Sequence, residues 1–268
     1  MRGLKRLFAG RREGSVEVSE AGGVRTLHLG GMAVQSAMRL ARPGDLELAY
    51  TRAMMAFLLF APAPRECLMI GLGGGSIARF VHERLPSVRM TVVERYPAVV
   101  AAARTHFGLP ADDARLEVVV ADGAVFVPAQ RAAWDVVLLD AFEDGRSVKA
   151  LATTAFYAAC HAALRPRGVL VANFIADEPR FGTYLARLEG VFGGRVLCLP
   201  AEDRVNMIVL ALKGRGARLA ITPLERAARR LGRRYGLPLE RSLADLVAHN
   251  PGTRSFLSLR RACQPPLV

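Results

Sequence analysis

Three acidic residues each follow an apolar run with the composition of a β-strand. Glu94 ends RMTVVE, Asp122 follows RLEVVVA, and Asp140 ends WDVVLLD. Because the carboxyl ends of parallel strands meet at one edge of a sheet, and ligands bind there, we expect these carboxylates to face one pocket. A single acid after a strand is often only a solvated cap, but three in register favour a shared site.

A cluster of glycines stands where such a pocket needs close access to the backbone. The stretch MIGLGGGSIARF (residues 69–80) passes from an apolar strand through Gly71, Gly73, Gly74 and Gly75 into a helical pattern. Glycine lets a ligand approach the chain closely, although a tight turn alone would also explain the cluster. Glu94 follows about twenty residues later, where an acid hydrogen-bonds ribose hydroxyls in nucleoside-binding α/β folds.

The negative charge of the predicted pocket limits the classes of ligand that it could bind. A dinucleotide would place its pyrophosphate on the first helix, whereas a pocket lined by acids favours a nucleoside that carries positive charge. S-adenosylmethionine and its decarboxylated form are sulfonium cations. We therefore predict an adenosyl group held by Glu94 and Asp122, with the sulfonium near Asp140.

The elements that must position these residues alternate between strand and helix from residue 66 onward. This order predicts an α/β fold with a Rossmann-like, doubly wound parallel sheet, closed by an antiparallel pair at the end. Short β-prone runs precede it. We divide the chain into a basic N-terminal segment (1–13), a small β-domain (14–42), a Rossmann-like catalytic domain (43–214) and an Arg-rich helical extension (215–268).

Composition and charge exclude several other classes of protein. The net charge is +13, but it is carried by arginines spread along the chain, so we expect no nucleic-acid partner. No apolar run approaches the roughly 20 residues of a membrane span, so we expect no membrane association. The four cysteines and five histidines show no ligand spacing, which predicts no metal. We expect a cytoplasmic protein with reduced thiols that forms a homodimer.

Several motifs together resemble the spermidine synthase, or polyamine aminopropyltransferase, family over residues 14–212. They are LHLGGMAVQSAMRLARPGDLELAYTRAMM, MIGLGGGSIARFV followed by VERYP, VVVADGAVFV, and WDVVLLDAFED with TTAFYAACHAALRPRGVLVANF. The resemblance implies a small N-terminal β-domain joined to a domain of the S-adenosylmethionine-methyltransferase type. It also implies transfer of an aminopropyl group from decarboxylated S-adenosylmethionine to a polyamine such as putrescine.

The resemblance also implies roles for residues on the nucleoside side of the site. Gln35 corresponds to a glutamine beside the nucleoside, Glu94 would hold the ribose, and Asp122 with Gly123 would lie on the adenine side. The glycines expected to contact the cosubstrate are Gly71, Gly73 and Gly75.

On the amine side, the resemblance assigns Tyr50 to the lining of the acceptor site. Asp140 corresponds to the acid that binds and deprotonates the attacking amine, so we predict it to be the catalytic residue. Glu143 takes the position of a second acid in the DAFE stretch and would contact the substrate.

The sequence departs from the family at two further positions. Gly74 stands where the family has an aspartate that holds the amine of the donor, and Thr51 stands in place of a histidine. Two alternatives therefore stay open. One is a methyltransferase of the same fold that uses S-adenosylmethionine, and the other is a nucleoside-binding protein without turnover.

Overall fold

The computed structural model describes residues 16–29, 34–143 and 146–259, and of Glu143 and Arg146 it describes the backbone only. The predicted basic segment 1–13 lies outside these residues. The strands are β1 (Val16–Ala21), β2 (Val24–Leu29), β3 (Val34–Arg39), β4 (Glu66–Ile70), β5 (Arg89–Glu94), β6 (Leu116–Val120), β7 (Trp134–Leu139), β8 (Phe142–Glu143), β9 (Arg146–Ser147), β10 (Leu164–Ile175), β11 (Val196–Pro200), β12 (Asn206–Leu212), β13 (Arg218–Ala220) and β14 (Phe256–Ser258). The α-helices are α1 (Ala49–Met54), α2 (Ser76–Arg84), α3 (Pro97–Phe107), α4 (Gly123–Phe126), α5 (Thr154–Ala163), α6 (Phe181–Phe192), α7 (Ile221–Tyr235) and α8 (Leu239–His249), with 3₁₀ turns at Met55–Leu59, Val127–Ala129 and Lys149–Ala152.

A seven-stranded sheet forms the centre of the molecule, in the order β11-β12-β10-β7-β4-β5-β6. The pairs from β10 to β6 are parallel, and β12 pairs antiparallel with both β10 and β11. From β4 the chain moves outward through β5 to β6 and then returns to β7 on the other side of β4. The predicted doubly wound sheet with an antiparallel closing pair is confirmed, and its order reverses between β4 and β7.

Successive side chains of the central strands pack alternately into two hydrophobic layers. Along β4, Cys67 and Met69 join the layer that contains the 3₁₀ turn Met55–Leu59, α7 and α8, while Leu68 and Ile70 join the layer under α5 and α6. Strands buried on both faces read as continuous apolar runs, which is why the sequence shows no alternation there.

A small antiparallel sheet of β1, β2 and β3 stands beside the main sheet. Its apolar face packs on Phe107 at the end of α3. Buried Arg79 of α2 adds a polar tie, because its guanidinium donates to the carbonyl oxygens of Phe107 and Pro43. The sheet predicted from the lead-in is thus present and is fixed against the end of the main sheet at which β4 leads into α2.

The C-terminal region holds helices α7 and α8, which pack on the main domain, and a short antiparallel pair of strands that the sequence did not reveal. Helices α7 and α8 contribute buried leucines such as Leu231 and Leu243 to the core, and β13 pairs with β14. Within the described residues, no helix combines the length and apolarity that a membrane span requires.

The expectation of reduced thiols is met at two described cysteines and is wrong at a third. Cys67 and Cys160 are buried free thiols. Cys198, on β11, is disulfide-bonded. Wide spacing along the sequence does not prevent this bond, because a disulfide requires proximity in the fold and not in the chain.

Candidate active site

A cleft opens at the carboxyl edge of the sheet, where the strand order reverses. Its volume is about 800 Å³ including open solvent. The lining residues are Leu29, Gln35, Tyr50, Ile70, Gly71, Leu72, Gly73, Val93, Glu94, Arg95, Tyr96, Asp122, Gly123, Asp140, Ala141, Phe142, Val148, Ala150 and Leu151.

The structure brings together every predicted site residue except Gly75 and Glu143. Gly75 is buried at the start of α2, and a Cβ there would meet the side chain of Leu109 at 2.9 Å, so it faces the protein interior. The side chain of Glu143 lies outside the described part of the structure.

The glycine loop, residues 71–75, is held by close backbone contacts. The Gly71 amide donates to the carbonyl oxygen of Val93 at 2.9 Å, and the Asp140 amide donates to that of Ile70 at 2.9 Å. Gly71 has φ +91°, and a Cβ at this position would lie 2.2 Å from the carbonyl oxygen of Asp140. Only glycine fits there, so the loop and Asp140 approach each other directly.

Glu94 braces the glycine loop from the neighbouring strand. Its Oε2 accepts from the Leu72 amide at 2.9 Å, and its Oε1 accepts from the Tyr96 amide at 2.8 Å. The side chain is buried, and burial raises the pKa of its carboxyl group while these backbone hydrogen bonds partly oppose the rise. Each carboxylate oxygen has further lone-pair capacity, which hydroxyl groups of a ligand can use.

Asp122 and Gly123 shape the wall beyond Glu94. Asp122 is the N-cap of α4, and its Oδ1 accepts from the Ala124 amide at 2.8 Å. A Cβ at Gly123 would meet Cγ2 of Ile70 at 2.5 Å, so the chain passes close to the end of β4 here. This close passage leaves the exposed carboxylate of Asp122 at the rim of the cleft.

Asp140 lies at the inner end of the cleft with two polar neighbours. The amide nitrogen of Asn173 donates to its Oδ1 at 2.9 Å. The hydroxyl of Tyr50 donates to the carbonyl oxygen of Gln35 at 3.1 Å and also interacts with the same carboxylate. Asp140 keeps some accessible surface toward the cleft, but protein surrounds it elsewhere, and this desolvation raises its pKa to about 6. Desolvation and the nearby Asp140 charge also raise the pKa of Tyr50.

Gly74 is closely packed on both sides of the loop. The Gly74 amide donates to Oγ of Ser36 on β3 at 2.7 Å. A Cβ on Gly74 would lie 2.9 Å from Cβ of Ser36 and 3.0 Å from Cδ1 of Phe107. An aspartate at this position would therefore collide with the small sheet and α3.

Sequence reasoning missed the partners that fix these residues. Ser36, Asn173 and Asn206 are buried polar side chains. They stand in apolar strands, where a polar residue is the signal to look for, since buried polar groups require hydrogen-bond partners. Among the described residues, no group of three or more His, Cys, Asp or Glu side chains is arranged to hold a metal ion.

Replacing Gly74 by alanine tests this packing. We expect Gly74→Ala to lower the free energy of unfolding by about 1–3 kcal/mol, because the new methyl group overpacks against Ser36 and Phe107. Gly190→Ala on α6 is the matched control, since a Cβ there meets nothing within 4 Å. Chemical denaturation measures both variants, and equal stability of the two would contradict the described contacts.

The raised pKa of Asp140 predicts a pH-dependent effect on stability. A carboxyl pKa near 6 in the folded protein, against an ordinary value near 4 in the unfolded chain, means that the folded state loses stability as pH rises from about 4 to 6. Asp140→Asn removes this loss. We therefore expect the stability of the variant relative to the wild type to rise by about 1–3 kcal/mol between pH 4 and pH 7.5. Urea denaturation at both pH values measures it, and a pH-independent difference would show that Asp140 is not desolvated.

Comparison with known proteins agrees with this architecture. Residues 47–184 match the family model described as the spermine/spermidine synthase domain. The polyamine aminopropyltransferase of Neisseria meningitidis serogroup A is 42% identical over 91% of this chain and 93% of its own length. The protein of the same name from Chromobacterium violaceum is 41% identical over 90% of this chain and 93% of its own length.

Two solved structures share the fold. Spermidine synthase from Thermotoga maritima superposes with a TM-score of 0.69 at 23% identity, covering 90% of this chain and 84% of that chain. Human methyltransferase-like protein 13 in complex with SAH superposes with a TM-score of 0.64 at 28% identity, covering 71% of this chain and 94% of that chain. On the family match and the curated relatives, the chain belongs to the spermine/spermidine synthase family and is a transferase.

Proposed function

We propose that the protein transfers an aminopropyl group from decarboxylated S-adenosylmethionine to a polyamine such as putrescine. One observation carries the proposal. The cleft joins a buried carboxyl group with a raised pKa, Asp140, to a glycine loop braced by Glu94. In this arrangement, a carboxylate that can accept a proton from an amine lies next to the space proposed for a nucleoside.

On the nucleoside side, the free lone pairs of Glu94 accept hydrogen bonds from ribose hydroxyls. The adenine lies toward Asp122 and Gly123, and Gln35 closes the opposite wall of the cleft. Gly71 and Gly73 bring their backbone to the cleft wall, where a Cβ would meet Asp140 or Ser36, so the sugar lies against the backbone there. Gly75 faces Leu109, so its part in the proposal is limited to the turn into α2.

The charges of the lining favour the decarboxylated donor. Glu94, Asp122 and Asp140 are acidic, and Arg95 is the one cationic side chain among the lining residues that the structure describes. Arg95 is exposed, and its guanidinium carbon lies 5.7 Å from the ring centroid of Tyr96. A carboxylate on the donor would therefore lack a cationic partner deep in the cleft, whereas an ammonium group and a sulfonium would both be stabilised there.

Asp140 then acts on the acceptor. The neutral amine attacks the propyl carbon that is bonded to the sulfonium, the new carbon–nitrogen bond forms as the carbon–sulfur bond breaks, and methylthioadenosine leaves as a neutral thioether. The attacking nitrogen loses a proton, which Asp140 accepts. Tyr50 and Asn173 hold the carboxylate in place, and alignment of the two substrates supplies most of the rate.

Gly74 favours a second candidate, a methyltransferase that uses S-adenosylmethionine. The position offers no acid for an amine on the donor, and Ser36 and Phe107 fill the space that such a side chain would need. This candidate requires a partner for the donor carboxylate, for which only the exposed Arg95 is available among the described lining residues.

Binding of the nucleosides separates the two candidates. We expect calorimetry to show tighter binding of decarboxylated S-adenosylmethionine than of S-adenosylmethionine, by about tenfold or more, because one carboxylate is then absent from an acidic cleft. Methylthioadenosine serves as a control for the adenosyl group alone. Tighter binding of S-adenosylmethionine would support the methyltransferase, and no binding of any of the three would refute both.

Two substitutions separate chemistry from binding. We expect Asp140→Asn to lower kcat for aminopropyl transfer by about 10²–10⁴-fold, because the amide cannot accept the proton, while nucleoside affinity changes little. Glu94→Ala should instead weaken nucleoside binding by about tenfold or more, since it removes the ribose acceptor and the brace of the loop. Glu240→Gln, an exposed acid on α8, is the control. Unchanged nucleoside affinity in Glu94→Ala would mean that the nucleoside lies elsewhere.

A further inference from the structure

The buried side-chain amides of Asn206 and Asn173 form a chain of two hydrogen bonds that ends at Asp140, here called the amide line. The side-chain nitrogen of Asn206, the first residue of β12, donates to Oδ1 of Asn173 at 3.0 Å. The side-chain nitrogen of Asn173, on β10, donates to Oδ1 of Asp140 at 2.9 Å. Asn173 is 5% exposed and Asn206 is 7% exposed, and Asn206 does not line the cleft.

The direction of these hydrogen bonds follows from the carboxylate of Asp140, at which the amide line ends. An ionised carboxylate only accepts hydrogen bonds, so Asn173 must turn its NH₂ group toward Asp140. The two branches of an amide have nearly the same shape, and packing alone does not distinguish them. The NH₂ group of Asn206 reinforces the orientation that the carboxylate favours, because it bonds to the oxygen of Asn173 and would face another NH₂ group if Asn173 were reversed.

The groups that face Asp140 show why the orientation of the Asn173 amide matters. From α1, Tyr50 faces the carboxylate, and from β10, Asn173 does. The ends of β5 and β6 bring two further acids, Glu94 and Asp122, to the same cleft. A reversed Asn173 would point its oxygen at Asp140, which would leave the carboxylate with Tyr50 as its one polar donor among these groups.

We propose that Asn206 is a positioning residue for the transfer reaction, which acts through Asn173 to keep an N–H donor on Asp140. The inference rests on the proposed function, in which Asp140 is the base. Asn206 touches neither substrate in this arrangement. It holds one oxygen of the carboxylate in place through Asn173, so that the remaining lone pairs point to the amine.

Two near-isosteric substitutions test the proposal. Asn206→Leu removes the donor to Asn173, and Asn206→Asp replaces it by an acceptor that favours the reversed amide. We expect both to shift the acidic limb of the kcat–pH profile upward by about 0.5–1 pH unit, because the charged form of Asp140 loses a hydrogen bond, with the larger shift in Asn206→Asp, which also adds a like charge. We expect nucleoside affinity to stay within about twofold of the wild type, since the groups that hold the nucleoside are unchanged.

Asn250→Leu is the matched control for a merely structural role. Asn250 is also buried, and its amide bonds the backbone of Cys198 on β11, away from the cleft. We expect this variant to lower Tm without moving the pH profile. If Asn206→Leu and Asn206→Asp behave as Asn250→Leu does, the amide line is only structural and the proposal is overturned.

A titration of Asp140 without substrates separates this inference from the proposed function. Carboxyl ¹³C NMR, assigned by the signal lost in Asp140→Asn, gives the pKa of Asp140 in each variant. A raised value in the uncharged variant Asn206→Leu, in a protein that transfers no aminopropyl group, would support the amide line and refute the proposed function. An unchanged value in both Asn206 variants would overturn the inference whatever the activity.

Discussion

The site depends on how closely the backbone passes between the ends of β4 and β7. Because a Cβ at Gly71 would lie 2.2 Å from the carbonyl oxygen of Asp140, the two strand ends meet without a side chain between them. The Asp140 amide also donates a hydrogen bond to the carbonyl oxygen of Ile70. The sheet reverses its order at this point, so neither strand end is covered by a crossover from the other. The same constraint therefore opens the cleft and sets the carboxylate of Asp140 beside the glycine loop.

The small N-terminal sheet completes the loop from the other side. Its Ser36 takes the amide of Gly74, and Phe107 fills the space behind. Arg79 ties this region together from within, although its Nε has no hydrogen-bond partner among the described residues. A side chain at Gly74 would push these elements apart. Gly74 thus fits the way in which the two sheets pack, and an aspartate at that position would find no room.

The sequence predicted the parts of the fold and site that depend on local pattern. Continuous apolar runs gave the strands, and acids at their ends gave Glu94 and Asp140, because strand ends in a parallel sheet meet at a known edge. Gly75 was grouped with its neighbours, and only the path of α2 shows that it faces Leu109. The pairing of Asn173 with Asn206 was beyond reach, since it depends on the antiparallel register of β10 and β12, which joins residues far apart in the chain.

The buried carboxylate links the stability of the fold to the proposed chemistry. Desolvation disfavours the charged form of Asp140, and the donors Asn173 and Tyr50 partly offset this cost. With too few donors the carboxyl group would stay protonated at neutral pH and could not take a proton from an amine. With many donors its pKa would fall toward the ordinary value and it would become a weak base. A carboxyl group that accepts from Asn173, interacts with Tyr50 and has a pKa of about 6 lies between these limits, so the number and direction of the hydrogen bonds around Asp140 determine whether this cleft can act as a base at neutral pH.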